Sequence, residues 1–158
     1  MRETFTLPAV GEIWHQQGGI YAGVLPARSG LPSFHMIITM PMGRQRWGYP
    51  QLTTQAKSLT DGMFNTNQLI KADEYSPAAV AAHEYCAGGH TDFYLPSVGE
   101  LWEAWLNLGP RPLGWILSSS EHSPDNAYYV GFDDGCHHHE NKEERGTVCF
   151  MRKVVFTG

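Results

Sequence analysis

Apolar positions follow two periods along this chain, and the changes between them mark out its elements. Residues 12–15, 19–24 and 34–40 read as strands, the last of them apolar and β-branched, and Gly18-Gly19, Pro26, Gly30 and Pro32 punctuate them as turns. From Pro41 to Phe64 no period holds, because Gly43, Gly48, Pro50 and Gly62 interrupt it. Two helices follow. Ser76 supplies a capping hydroxyl ahead of Pro77 at the first helical position, Ala78-Ala79-Val80-Ala81-Ala82 continues the helix, and Gly88-Gly89 stops it. Ser97-Val98-Gly99-Glu100 has the spacing of a capping box, worth about 1 kcal/mol at the cap. The helix it opens sets Val98, Leu101, Trp102, Trp105 and Leu108 on one broad face, with the two tryptophans expected to plug the core, and Gly109-Pro110 ends it. Strand patterns return at 115–119, 127–132 and 147–156. Strands first, helices in the middle and strands last predict an α+β fold whose N-terminal and C-terminal strands pair in an antiparallel sheet.

Composition narrows the classes. A chain of 158 residues suits one domain, and 42% hydrophobic against 17% charged residues excludes disorder and coiled coil. Eleven Lys and Arg against sixteen Asp and Glu leave a net charge of -5, and basic residues adjoin only at Arg44/Arg46 and Arg152/Lys153, so nucleic acid is not an expected partner. Three cysteines, Cys86, Cys136 and Cys149, show no CxxC spacing; either one bridge forms, Cys136–Cys149 being the best pair, or the thiols stay reduced. No apolar run reaches the length of a membrane span, and the first residues lack a signal peptide's apolar centre; synthesis in the cytoplasm without membrane insertion is the expectation.

Segments in the middle and the C-terminal third carry a family resemblance. Gly89-His90-Thr91-Asp92-Phe93-Tyr94-Leu95-Pro96-Ser97-Val98-Gly99-Glu100-Leu101 resembles the G-x-x-D-W-x-L-P-S-x-x-E-L signature of the Lcl C-terminal-like domain family of bacterial adhesins and prophage proteins. Trp115-Ile116-Leu117-Ser118-Ser119-Ser120-Glu121 is similar to that family's Y-W-S-S-T-E strand, and residues 127–135 to its A-W-x-x-x-F-x-x-G segment. Lys142 with residues 148–154 resembles the closing K…V-R-x-V-R, residues 18–24 its opening strand, and Thr66-Asn67-Gln68-Leu69-Ile70 its first short helix. The resemblance implies a C-type-lectin-like fold over the whole chain: a small twisted antiparallel sheet, two main helices and a long excursion of loops and strands bearing the ligand site. Leu95, Pro96, Ser97, Glu100, Trp102, Trp105, Trp115 and Ser119 then belong to the scaffold, with Ser118–Ser120 expected as tightly packed strand residues beside Trp115.

Candidate chemistry concentrates near Cys136-His137-His138-His139-Glu140. His137 and His139, alternate residues of a strand, share one side and are the weak metal candidates; a Zn²⁺ site would need convergent help from Asp133, Asp134 or His122. The alternative is a wet hairpin loop. No calcium-ligating triplet of the sugar-binding lectins and no EF-hand loop occurs, so neither Ca²⁺ nor Zn²⁺ is an expected cofactor. No nucleophile elbow, H-E-x-x-H, P-loop or dinucleotide fingerprint occurs either, so an enzyme is not expected.

By the resemblance, the exposed ligand face comprises Glu121, His122, Tyr128, Asp133, Asp134, His137, His138, His139, Glu140, Asn141 and Lys142. The implied role is a phage or prophage tail-fibre or tail-tip accessory protein that recognises a host surface glycan or protein, assembled in the host cytoplasm into the virion beside other tail proteins. Homo-oligomers, trimers by analogy, would raise avidity by about 10²–10⁴. Two other roles compete: a virion decoration or cap with no host ligand, and a secreted extracellular adhesin domain that binds polysaccharide.

Overall fold

The computed structural model describes residues 6–28, 30–71 and 76–155. It is an α+β arrangement of three helices and two mostly antiparallel sheets. The first sheet has the order β1 (Ile13–Trp14), β2 (Gly19–Leu25), β3 (Phe34–Ile38) and β9 (Met151–Val154). A single 3-10 turn, His15–Gln17, reverses the chain between β1 and β2, and it ends at Gly18 with φ 84°. A side chain there would place Cβ 2.8 Å from the Ala87 carbonyl oxygen, so glycine satisfies both the left-handed backbone and the close approach. β3 and β9 pair antiparallel from His35–Val154 to Ile38–Met151, which is the expected joining of N-terminal and C-terminal strands.

The second sheet has the order β4 (Arg44–Arg46), β8 (Arg145–Thr147), β5 (Trp115–Glu121), β6 (Asn126–Gly131) and β7 (His137–Asn141). Its strands run antiparallel except where β8 meets β5 in a parallel pairing at Ile116–Thr147. Helix α1 (Gly62–Lys71) and α2 (Pro77–Glu84) lie toward one face of this sheet, and α3 (Val98–Leu108) lies between its other face and the first sheet. Two large apolar cores result, besides a smaller cluster of Trp14, Tyr21 and Ile37. One joins Ile20, Met36 and Ile38 to Leu101 and Ala104 of α3 and to Ile116, Val130 and Phe132. The other joins Trp47, Phe93 and Leu95 to the small side chains Ala78, Ala79 and Ala82 of α2 and to Leu117 and Tyr129.

The two expected caps are present. Ser76 Oγ accepts from the Ala79 N–H at 3.3 Å, and Ser97 with Glu100 closes a full capping box. Other expectations are corrected. Helix α2 ends at Glu84, before Gly88-Gly89. Helix α1 begins at Gly62, inside the stretch that showed no period, because the Glu100 carboxylate accepts the Gly62 N–H at 2.8 Å and starts the helix from a distant residue. The sequence marks no separate strand at β4 or β8, and of its two readings for the histidine triplet the strand is the one formed, as β7.

The single strand expected over 147–156 is instead two, β8 and β9, with Val148, Cys149 and Phe150 between them. Cys149 packs in the first core, and Val148 and Phe150 in the second. Side chains therefore alternate between two buried cores while the backbone passes from one sheet to the other. Phe156, the expected end of that strand, lies outside the described residues. Trp105 is half-buried and packs against the first core as expected, but Trp102 does not enter it and stacks on Trp105 at 5.3 Å, while Val98, Leu101 and Ala104 make the buried stripe.

Candidate functional site

Edge strand β7 presents the histidine triplet, and its pairing with β6 fixes which way each ring points. Val130 lies opposite His137, Tyr129 opposite His138 and Tyr128 opposite His139. Neighbouring strand residues emerge on opposite faces. His137 and His139 therefore share the α3 face with Tyr128, and His138 and Glu140 share the other face with Tyr129.

Each imidazole rests on an aromatic ring. His138 stacks on the indole of Trp115 with centroids 3.8 Å apart and planes within 14°. His137 meets Trp102 edge-on at 5.2 Å. His139 stacks on His122 at 3.9 Å, and His122 meets Tyr128 edge-on at 4.9 Å. Burial against these neighbours and the adjacent His139 hold the His122 imidazole below its ordinary pKa. The strand is thus an ordered surface element, stiffened by planar contacts on both faces.

On the His138 face the sheet opens into a groove of about 370 Å³ bordered by Arg44, Trp115, Tyr129, Glu140, Glu144 and Arg145. Trp115 is 43% exposed, an unusual state for a tryptophan held so closely on one side. Gly131 makes that contact possible: a Cβ there would lie 3.3 Å from His138 Nε2 and 2.9 Å from Asp134 Oδ1. His138 Nε2 is itself buried and has no hydrogen-bond partner among the described residues. Tyr129 lies across β8, where a Cβ on Gly146 would come within 2.5 Å of its hydroxyl oxygen. Burial, reinforced by Glu140 and Glu144 and only partly opposed by Arg44, pushes the Tyr129 phenol up to about 12. The phenol is therefore a neutral group beside charged walls. Arg44 is steadied by a 2.9 Å hydrogen bond from its guanidinium to the Arg145 carbonyl.

The eleven residues expected on one ligand face do not form one surface. Glu140 and His138 belong to the groove side; His122, Tyr128, His137 and His139 belong to the opposite side of the sheet. Asp133 and Asp134 sit in the exposed turn between β6 and β7, where Asp134 Oδ1 accepts the Cys136 N–H at 2.9 Å and that hydrogen bond holds its carboxyl below the usual range. Asn141 Oδ1 accepts the Glu143 N–H at 2.9 Å and shapes the next turn.

Glu121 and Lys142 are corrected outright. Both are buried: Lys142 Nζ donates to Glu121 Oε1 and to the Leu52 carbonyl, each at 2.7 Å, and lies 4.7 Å from the centroid of the Trp47 ring. Their chemistry is spent inside the protein. Trp115 is corrected in the other direction, from scaffold to surface platform. Leu95, Ser97, Glu100 and Ser119 are buried scaffold as expected, and Pro96 accepts the Ser119 N–H at 2.8 Å. Nothing in the sequence brings Arg44, Tyr129, Glu144 and Arg145 together as a site, since β4 and β8 meet across a separation of about a hundred residues; the alternating Arg44-Gln45-Arg46 is the one local hint.

Among the described residues, no group of three His, Cys, Asp or Glu is placed to hold a metal ion. His137 and His139 face one side, but their rings are turned to different aromatic neighbours. The Cys136–Cys149 bridge is not formed: Cys136 is exposed and Cys149 is buried in the core, where desolvation pushes its thiol up to about 12. Among the described residues no helix is long and apolar enough to cross a membrane. No family model and no curated protein matches the chain.

Proposed function

We propose that this chain is a non-enzymatic, C-type-lectin-like binding module, and that the Trp115 groove takes a surface glycan. One observation carries the proposal: an indole 43% exposed, held flat by His138, borders a groove walled by two carboxylates and two guanidinium groups. A pyranose ring offers an apolar C–H face and a rim of hydroxyl groups. The first matches a rigid aromatic plane with little entropy to lose, and the second matches Glu140 and Glu144 as acceptors and Arg44 and Arg145 as donors. The setting we favour is a phage or prophage tail-fibre or tail-tip protein; the resemblance of residues 89–101 and 115–121 to adhesin and prophage domains supports it.

A glycan array on the purified chain tests the reading, with Trp115→Ala and Glu140→Gln beside the natural protein. Truncating an aromatic anchor costs about 1–2 kcal/mol, so Trp115→Ala is expected to weaken a positive glycan roughly tenfold or more while leaving the fold intact. No glycan bound by the natural protein, together with no adsorption to host cells, overturns the reading in favour of a structural cap. Binding that is indifferent to Trp115→Ala moves the site off this groove.

A further inference from the structure

A second cavity, on the other side of the β6 end and sharing only Leu113 with the groove, has a different chemistry. It encloses about 270 Å³ between Ile20 and Ile38 of the first sheet, Phe132 just after β6, and Leu108 and Leu113 around the end of α3. Met40, 55% exposed, stands on its rim and shows where it reaches the surface. The lining is carbon-rich with one charged residue, Arg111.

The backbone holds Arg111 in place on both sides: its N–H donates to the Phe132 carbonyl at 2.7 Å, and its carbonyl accepts the Leu113 N–H at 2.8 Å. Gly11 makes room for the guanidinium, since a Cβ at that residue would lie 2.9 Å from Arg111 Nη2. Yet Arg111 Nε is buried and meets no hydrogen-bond acceptor among the described residues. Among the described residues, no acidic residue lines the cavity. Arg111 is the one charge along the cavity and has no lining carboxylate as partner, and an anion bound there would supply one.

We propose that this cavity binds a small apolar carboxylate, with the carboxylate on Arg111 and the hydrocarbon against Ile20, Ile38 and Phe132. Guanidinium and carboxylate match in planar, two-point hydrogen bonding, which an alcohol cannot reproduce and an ammonium opposes. Taking the ~30 Å³ share of a liquid water as the measure of one heavy atom, the cavity admits roughly nine, the size of a short-chain fatty acid. Cys149, also in the lining, has its thiol pushed up to about 12 by burial, so it adds no negative charge to oppose the carboxylate.

Titration calorimetry with hexanoate, hexanol and hexylamine, backed by methyl shifts of Ile20, Ile38 and Leu113 in NMR, tests this. The natural chain is expected to bind hexanoate at least about tenfold more tightly than hexanol, and hexylamine not measurably. Arg111→Met is expected to erase the preference while hexanol binding survives, and Leu113→Trp to abolish both by filling the space. Circular dichroism on each variant checks that it folds. Hexanoate binding weaker than about 10 mM, equal binding of hexanoate and hexanol, or a carboxylate preference that persists in Arg111→Met overturns the proposal.

Discussion

Lys142 Nζ and Glu121 Oε1 lie 2.7 Å apart with both side chains shut away from solvent. The same carboxylate oxygen accepts the Thr54 N–H at 2.9 Å, and the same ammonium donates to the Leu52 carbonyl. One ion pair therefore fastens the long loop after β4 to the second sheet. Close to it, Glu121 N–H bonds the Ala56 carbonyl and Gly48 N–H bonds the Lys142 carbonyl.

Removing one member of this pair leaves the other charge buried and alone. Lys142→Met and Glu121→Gln are each expected to destabilise the chain by about 3–5 kcal/mol, and the double variant by clearly less than the two added together. Urea unfolding of the two single variants and the double variant measures the difference. Loss of only a few tenths of a kcal/mol in Lys142→Met would mean that the loop is not held there.

Glu100 is the second buried anchor, and it differs from an ordinary capping partner. Its Oε1 accepts the N–H groups of Ser97 and Gly62, while Oε2 accepts the Tyr94 hydroxyl and the Lys153 ammonium, both at 2.7 Å. Burial together with this carboxylate pushes the Tyr94 phenol well above its usual pKa. Losing a helix cap alone costs about 1 kcal/mol, whereas hydrogen bonds to a charged group are worth about 1.5–3 kcal/mol each. Glu100→Gln is therefore expected to destabilise more than Ser97→Ala does, in a thermal or urea denaturation that compares the two. The reverse order would reduce Glu100 to its local role.

These two carboxylates also show what could be read from the chain and what could not. The link from Glu100 to Ser97 spans three residues and was legible as a capping box. Its links to Gly62 and Lys153 were not, because nothing at 62 or 153 announces a carboxylate folded against it. Helical period placed Leu101 and Trp102 equally well, but only the first sheet, packed across Ala104, decides that Leu101 goes in and Trp102 lies on the flank. Lys142 and Glu121 sat among polar neighbours and had the look of surface residues; the loop that covers them comes from the stretch that had no period at all. The α+β order and the closing strand pair were legible because they depend on runs of apolar residues.

The His122–His139 stack makes the α3 side of β7 sensitive to acid. The folded pKa of His122 is depressed, by burial first and by the adjacent His139 second. Its contribution to stability is therefore fully present above the ordinary imidazole value of about 6.5 and is lost as pH falls through the lower folded value. As pH falls from about 6.5 through the lower folded value, the natural chain is expected to lose stability more steeply than His122→Gln. Denaturation midpoints on both proteins across that window measure it, and parallel curves would show that the stack does not couple to folding.

Trp115 offers the sharpest test of the groove, because its fluorescence reports on the ring that lies against it. His138 is held over the indole only while Gly131 leaves the space beside Nε2 open. Gly131→Ala forces a methyl into contact with Asp134 and His138, and overpacking of this kind costs about 1–3 kcal/mol unless the imidazole moves. Movement is the easier outcome, since β7 is an edge strand and His138 Nε2 has no hydrogen bond to lose among the described residues. The expected result is a shift of Trp115 emission and a loss of glycan affinity with little loss of stability. His138→Ala should match it in both readouts, since it removes the same stack from the other side. If Gly131→Ala unfolds the chain while His138→Ala leaves emission and affinity untouched, the imidazole does not hold the platform, and the exposed indole stands by its own backbone alone.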